Sequence, residues 1–210
     1  MVYDMKNWCI ALIIVALLAT GSAGCLSTVS GPAPQQTLQP IPQKTQDSTS
    51  ATIPAGDMAL QLSDVPPDYL LRDRTVSAYE EVSQLARDLG WRQGYRVTFY
   101  RMNREKDDLT GIRQSISVYP EENMVKVYAI ETEPMLSLKN GTTRYEVPFP
   151  AAGDRSIAFR ETRAGDPYDL AVYTVMFQKK NVFETITMGG TTTDYETLKD
   201  VVLKAAERIR

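Results

Sequence analysis

The sequence predicts an α+β domain, in which a mostly antiparallel sheet of about five to six strands is covered by helices. Segments of alternating apolar and polar residues follow one another with short links, which favours antiparallel neighbours. Two segments of helical periodicity begin at capping-box patterns. Together these observations predict the order α-β-β-α-(β)-β-β-β-α within residues 58–210.

The first half of the domain is predicted to contain a helix and a strand pair. The helix covers Ser77 to Leu89, because Ser77 opens a capping-box spacing and Gly90 supplies a stop. Strands follow at Tyr95–Met102 and Ile112–Tyr119, with a charged loop at Arg104–Gly111 between them.

The segment Pro120–Asn123 allows two interpretations. One is a helix start, with proline at the first position and acidic residues near the positive end of the helix dipole. The other is a turn into a strand at Val125–Ile130. We favour the helix, continuing to about Thr132, because four residues share one helical face: Met124, Val127, Tyr128 and Glu131.

The second half is predicted to be mainly strand. A short edge strand is expected near Tyr145–Val147 and another strand at Ile157–Glu161. A hairpin pairs Leu170–Gln178 with Val182–Met188. Because Glu184 falls on the apolar face of the second arm, we expect a β-bulge there.

The last predicted element is a helix that ends at Ile209-Arg210. It opens at the capping box Thr193-Asp194-Tyr195-Glu196, directly after the strand end at Gly189-Gly190. Gly189-Gly190 is not a phosphate loop, since it lacks the later Gly and the Lys-Ser/Thr pair.

Residues 1–24 have the three parts of a secretory signal and lead into Cys25. The small residues before Cys25 resemble a lipobox, in which the cysteine thiol takes the lipid and becomes the new N-terminus. Ser22 stands where bacterial lipoboxes usually have leucine, and this form resembles archaeal surface lipoproteins. The alternative is an uncleaved helix, since Asn7–Gly24 is uncharged and just long enough to cross a membrane. Both interpretations make the membrane a partner of the chain and place the folded domain outside the cell.

Residues 25–57 are predicted to be a flexible stalk. They are rich in Pro, Ser, Thr and Gln, and such a composition buries too little apolar surface to offset its ordering entropy. In the domain that follows, Asn140-Gly141-Thr142 forms an N-glycosylation sequon, which is equally consistent with an Asn-Gly turn.

Composition excludes several function classes. The chain has no His, and its two cysteines, Cys9 and Cys25, both precede the domain. Histidine bases, cysteine catalysis and Cys/His metal sites are therefore excluded there. A net charge of −3 without a basic cluster argues against nucleic acid as a partner. We expect no cofactor and no metal, because Asp107-Asp108 lacks the length of a calcium loop.

Few residues are candidates for a site. Asp154 and Ser156 in Gly153-Asp154-Arg155-Ser156 are ligand-binding candidates, and an alternative function is a hydrolase that uses them without histidine. A turn in which both side chains cap backbone donors is the simpler interpretation. Tyr119 and Tyr145 are further candidates, because tyrosines can line a groove. The tyrosines considered for that groove are Tyr95, Tyr119, Tyr128, Tyr145, Tyr168 and Tyr173.

The folded part resembles uncharacterised surface lipoproteins of methanogenic archaea. The resemblance lies in Ser63–Pro66, Ala86–Trp91, Val118–Asn123 and Gly153–Phe159. It implies no activity. In topology the domain is also similar to the PsbP-like αβα sandwich, which is used by exported accessory and binding proteins. We therefore expect a non-catalytic surface domain that binds an envelope protein or glycan. A structural or assembly role in the cell envelope is a further alternative.

Overall fold

The computed structural model describes residues 53–103, 108–136, 142–163 and 170–210. The predicted signal peptide, Cys25 and Asn140 lie outside the described residues, as does the stalk up to residue 52. In the described part, no helix is both long and apolar enough to span a membrane.

The fold is α+β, as predicted, and its sheet has seven antiparallel strands rather than five or six. In spatial order the strands are β1-β2-β3-β7-β6-β5-β4. Their bounds are β1 Leu70–Val76, β2 Gln93–Asn103, β3 Asp108–Val118, β4 Thr142–Glu146, β5 Arg155–Arg163, β6 Ala171–Lys179 and β7 Val182–Gly190. The helices are α1 Ala55–Met58, α2 Gln84–Asp88, α3 Met124–Leu136 and α4 Tyr195–Arg208.

Helices cover both faces of the sheet. The α4 side carries the larger core, where Leu198 and Val202 of α4 pack with Ile112 and Ile186 of the central strands. The α3 side carries a smaller core, built by residues of α2 and α3 with Trp91, Met176 and Phe183. Side chains of each strand alternate between these two sides.

Strand β1 was not predicted. All seven of its residues are exposed, so it has no apolar alternation. It forms one edge of the sheet, and its pairing with β2 is irregular between Leu71 and Asp73. Charged residues and a bulge are typical of strand edges, because they hinder pairing with another chain. The charges that make β1 resemble a loop are therefore a property of its edge position.

The predicted helix from Ser77 to Leu89 is wrong. The segment contains a 3₁₀ turn at Tyr79–Glu81 and the one-and-a-half-turn helix α2. Ser77 instead continues the strand pairing, with its N–H donating to the Gly94 carbonyl at 3.0 Å. The Arg87 guanidinium binds the Val82 carbonyl at 2.6 Å, which satisfies a group that a continuous helix would have used internally.

The helical interpretation of Pro120–Asn123 is confirmed. A 3₁₀ turn at Glu121–Asn123 leads into α3, which extends to Leu136, beyond the predicted end. The predicted loop before β3 is wrong from Asp108 onward, because β3 begins there. The Asp108 carboxylate accepts hydrogen bonds from the hydroxyls of Thr191 at 2.9 Å and Thr192 at 2.6 Å, which holds this charged residue in the sheet.

The bulge predicted at Glu184 is also wrong. The register of β7 with both neighbours is regular, and Glu184 is fully buried on the α4 side. Its Oε2 accepts a hydrogen bond of 2.7 Å from Nε2 of buried Gln114. The Gln114 Oε1 in turn accepts the N–H of Leu60 at 2.8 Å. Gln114 thus satisfies one carboxyl oxygen of Glu184, while the buried Oε1 has no hydrogen-bond partner among the described residues.

The chain termini of the described part lie against the α4 side of the sheet. Helix α1 begins within the segment assigned to the stalk and ends one residue beyond it. The Ala55 N–H donates to Gln93 Oε1 of β2 at 3.0 Å. Helix α4 begins as predicted near the capping box, although the residue that caps it is Asp194. Its side chain accepts the Glu196 N–H at 3.0 Å.

Candidate functional site

The α3 side of the sheet carries a cavity whose floor is formed by β2 and β3. Arg96 and Ser115 face each other across these strands, and Ser117 lies two residues further along β3. On β3, Ser115 and Ser117 are half-buried, while their neighbours on the other face are fully covered. Strand alternation therefore places a polar floor directly behind an apolar core.

The first wall is the segment between β1 and β2. Gly94 allows the Trp91 indole to lie on the strand, since a Cβ at Gly94 would come 2.9 Å from Trp91 Cζ2. The same Cβ would approach Ser77 Oγ at 3.1 Å, so Ser77 and Trp91 both lie over this glycine. Gly90, with φ +80°, ends α2 and directs the chain into Trp91.

The second wall is α3. Met124 and Val127 anchor this helix in the smaller core, and Glu131 lies one turn beyond Val127 on the same face. Glu131 is therefore directed at the sheet rather than at solvent, and it is half-buried. Tyr119, buried directly after β3, lines the cavity near Glu131.

These walls border an open cavity of about 240 Å³, which we call the α3-side pocket. At ~30 Å³ for each water molecule, it has room for about eight waters or a small organic ligand. Its lining is Ser77, Glu81, Val82, Ala86, Trp91, Arg96, Ser115, Ser117, Tyr119 and Glu131.

Burial changes the protonation of two groups in the α3-side pocket. It raises the pKa of Tyr119 to about 12, with a further contribution from the nearby Glu131 charge. Tyr119 is therefore a neutral phenol that can donate a hydrogen bond. Burial also raises the pKa of Glu131, and no other group contributes to that shift.

The Glu131 carboxylate has no hydrogen bond or ion pair with any residue in the described ranges. The pocket thus combines an uncompensated carboxylate, serine and tyrosine hydroxyls, an aromatic wall and the exposed Arg96 guanidinium. Such a set can hold a small polar ligand by hydrogen bonds, charge and stacking.

Two larger cavities, of about 430 and 460 Å³, adjoin Ile53 and Arg210. Ile53, the first described residue, lines both of them. The residues that line the α3-side pocket all lie well inside the described ranges. Within the described ranges, no cluster of three or more acidic or sulfur-bearing residues has the geometry of a metal site.

Asp154 and Ser156 do not line any of these three cavities. The Asp154 carboxylate accepts the N–H of Lys180 at 2.7 Å, and Ser156 Oγ accepts the N–H of Ala152 at 3.3 Å. Ser156 therefore caps a local backbone donor, as the simpler interpretation of this motif expected, whereas Asp154 caps a donor 26 residues away, in the turn after β6.

Tyr145 lies on the opposite, α4 side of the sheet. Its hydroxyl accepts a 2.6 Å hydrogen bond from the Arg160 guanidinium, which also lies 6.0 Å from the Tyr173 ring. Tyr173 stacks on Tyr195 of α4, with ring centroids 4.9 Å apart. We call these four residues the Tyr–Arg surface.

A single groove lined by all the candidate tyrosines is not present. Tyr119 and Tyr128 belong to the α3 side, whereas Tyr95, Tyr145 and Tyr173 lie on the α4 side. Tyr168 lies outside the described residues. The two groups are separated by the thickness of the sheet.

Sequence reasoning found Tyr119 but missed Trp91, Arg96, Ser115 and Glu131 as pocket residues. The signal for Glu131 was available, because it shares a helical face with Met124 and Val127. A carboxylate on the apolar face of a helix is either paired or directed into a cavity.

The fold is similar to the extracellular domain of PknH from Mycobacterium tuberculosis, with a TM-score of 0.52. The match covers 73% of this chain and 94% of that domain, at 10% sequence identity. At this identity the similarity shows the fold alone. No protein-family model and no curated protein matches the sequence.

Proposed function

We propose that this chain is a surface lipoprotein, anchored through Cys25, whose folded domain binds a ligand and does not transform it. The observation that carries the binding role is the α3-side pocket, in which Glu131 lacks a partner among the described residues. The signal-like segment before Cys25 supports export and lipid attachment. The similarity to an extracellular domain is in keeping with a domain outside the cell.

Binding is tested with the full-length chain in detergent micelles, against envelope saccharides, amino acids and small amines. We expect at least one class to raise the thermal unfolding midpoint, because a ligand that binds the folded state stabilises it. Ser115→Phe fills the floor of the pocket and should abolish the shift. Thr174→Phe, on the same sheet side but outside the pocket lining, is the matched control and should retain it. A shift that survives Ser115→Phe would place the ligand elsewhere.

Anchoring is tested separately with Cys25→Ser. Wild-type protein should partition into the detergent phase and incorporate a labelled lipid, whereas the variant should be unlabelled. Wild-type protein that takes up no label and retains residues 1–24 would favour the uncleaved helix at Asn7–Gly24.

The hydrolase alternative gains no support from the positions of Asp154 and Ser156, since backbone N–H groups occupy both side chains. An assembly role has one favourable observation, the Tyr–Arg surface. There Tyr145 is 45% exposed beside Arg160, and both residue types are enriched at protein interfaces. Crosslinking of cells that carry Tyr145→Ser would test this role, since a specific partner should be lost.

A further inference from the structure

We propose that the α3-side pocket takes a small organic cation, whose ammonium group pairs with Glu131 and packs against Trp91. This inference rests on the proposed binding function and specifies the chemical class of its ligand. Its basis is the combination of a half-buried carboxylate, an aromatic wall and an excess of negative charge in one cavity.

The Glu131 carboxylate supplies the negative charge that would pair with the cation. It lies on the sheet-facing side of α3, and no described residue supplies a cation or a hydrogen-bond donor to it. Burial without a partner disfavours the charged carboxylate, which is why its pKa is raised. A ligand cation at this position would supply the missing charge and return the pKa towards its ordinary value.

Trp91 supplies the aromatic surface against which the ammonium group would pack. Trp91 is only 7% exposed and is held against Gly94, so it is fixed before any ligand arrives. Tyr79 supports it from outside, with ring centroids 6.1 Å apart. Trp is the side chain that attracts cations most strongly through its ring face, and quaternary ammonium groups are held in this way.

The charged residues that line the α3-side pocket include more carboxylates than cations. Two carboxylates, Glu81 and Glu131, line the pocket with one guanidinium, Arg96. Arg96 and Glu81 are both exposed and offset each other, whereas Glu131 is half-buried. The deeper part of the pocket therefore carries a carboxylate without a cation, which favours a cationic ligand over an anion. Tyr119, a neutral phenol at physiological pH, can donate a hydrogen bond to a hydroxyl on the same ligand.

The test compares choline with 3,3-dimethylbutanol, a neutral molecule of nearly the same shape. Binding to the full-length chain in detergent micelles is measured by isothermal titration calorimetry at pH 7. We expect choline to bind at least tenfold more tightly than the neutral isostere. The affinity for choline should also weaken as the pH is lowered from 7 towards the ordinary pKa of a glutamate, because protonation of Glu131 removes the charge that pairs with the cation.

Glu131→Gln keeps the shape of the side chain and removes its charge. It should abolish both the preference for choline and the pH dependence of choline binding. Glu122→Gln, an exposed substitution outside the α3-side pocket, should change neither. Equal binding of choline and its isostere, or unchanged choline binding by Glu131→Gln, would overturn the inference.

The outcomes separate this inference from the proposed function. If a saccharide or an anion stabilises the protein through the pocket and choline does not bind, the binding function stands and the cation inference fails. If no compound in either experiment binds, both fail.

Discussion

The two sides of the sheet use the same strands in different ways. On β3, Ile112, Gln114 and Ile116 face α4 and are fully covered, whereas Arg113 and Ser115 on the α3 side remain accessible. On each side, burial raises the pKa of one carboxyl group among the described residues. Glu184, under α4, is sealed and hydrogen-bonded to Gln114, while Glu131, on α3, borders a cavity.

The difference follows from the helices. Helix α4 has five buried residues along its length and closes its side of the sheet. Helix α3 has three buried residues and contains Pro134 near its end, so β2 and β3 remain partly open beside it. Where a helix covers the sheet incompletely, a cavity remains beside it. A polar group under a closed helix can only contact the protein, whereas a polar group beside such a cavity can also contact a ligand.

The largest expected effect is the pH dependence contributed by Glu184. Burial raises its pKa to about 8, so between its ordinary pKa and about pH 8 the folded state binds more protons than the unfolded state. The free energy of unfolding should therefore fall as pH rises through this window. The loss is on the order of 3–5 kcal/mol at ~1.4 kcal/mol per pKa unit.

Glu184→Gln should remove most of that slope, and urea unfolding at pH 5, 7 and 8.5 measures it. Glu207→Gln, an exposed change on α4, is the control and should keep the wild-type slope. A wild-type protein equally stable at all three pH values would show that Glu184 is compensated in another way.

A second test concerns how completely α4 buries its side of the sheet. Leu198 is fully buried in the larger core, and Leu198→Ala should lower the free energy of unfolding by about 2–4 kcal/mol through loss of burial and creation of a cavity. Leu85→Ala on α2, where the leucine is 50% exposed, should have a much smaller effect in the same chemical denaturation experiment. Similar losses for both variants would contradict the difference in helix cover.

A third test addresses the wall of the α3-side pocket. The new methyl group of Gly94→Ala would press on Trp91 and should cost about 1–3 kcal/mol of stability. Gly111→Ala, where the nearest atom would be 3.7 Å away, is the matched control and should unfold like the wild type. If Gly94→Ala keeps both its stability and its ligand-dependent thermal shift, Trp91 does not form the wall described.

The smallest effect is expected for Glu131→Gln in the absence of ligand. Because the pKa of Glu131 is raised, its charge opposes folding at neutral pH, and the neutral variant should be unchanged or slightly more stable. Urea unfolding at pH 7 measures this. A clear loss of stability would mean that the Glu131 carboxylate makes a stabilising contact in the folded protein and is not an uncompensated charge.

The strands with regular alternation, such as β2 with Val97 and Phe99 on one face, could be located from the sequence. Strand β1 could not be located in this way, because a strand exposed at the sheet edge lacks the alternation of apolar and polar residues on which the prediction depends. The helix at Ser77–Leu89 failed because Arg87 and Gly94 compete for its backbone groups.

The α3-side pocket was only partly foreseen, through Tyr119. Its residues come from four separated segments, represented by Ser77, Trp91, Ser115 and Glu131. Their meeting depends on the register of β1, β2 and β3 and on where α3 crosses the sheet. A sequence pattern fixes neither of these, whereas it does fix which residues share a strand or helix face.

The strand order also has a consequence for the speed of folding. Strands β1 to β3 form one run of neighbouring hairpins and β4 to β7 form another, and β3 with β7 joins them. Within each run the pairing is local. Across the junction, Gln114 meets Glu184 over a separation of 70 residues, so the entropy of closing a long loop opposes this contact. We therefore expect the joining of the two runs to limit the refolding rate. Substitutions at the junction of β3 and β7 should then slow refolding.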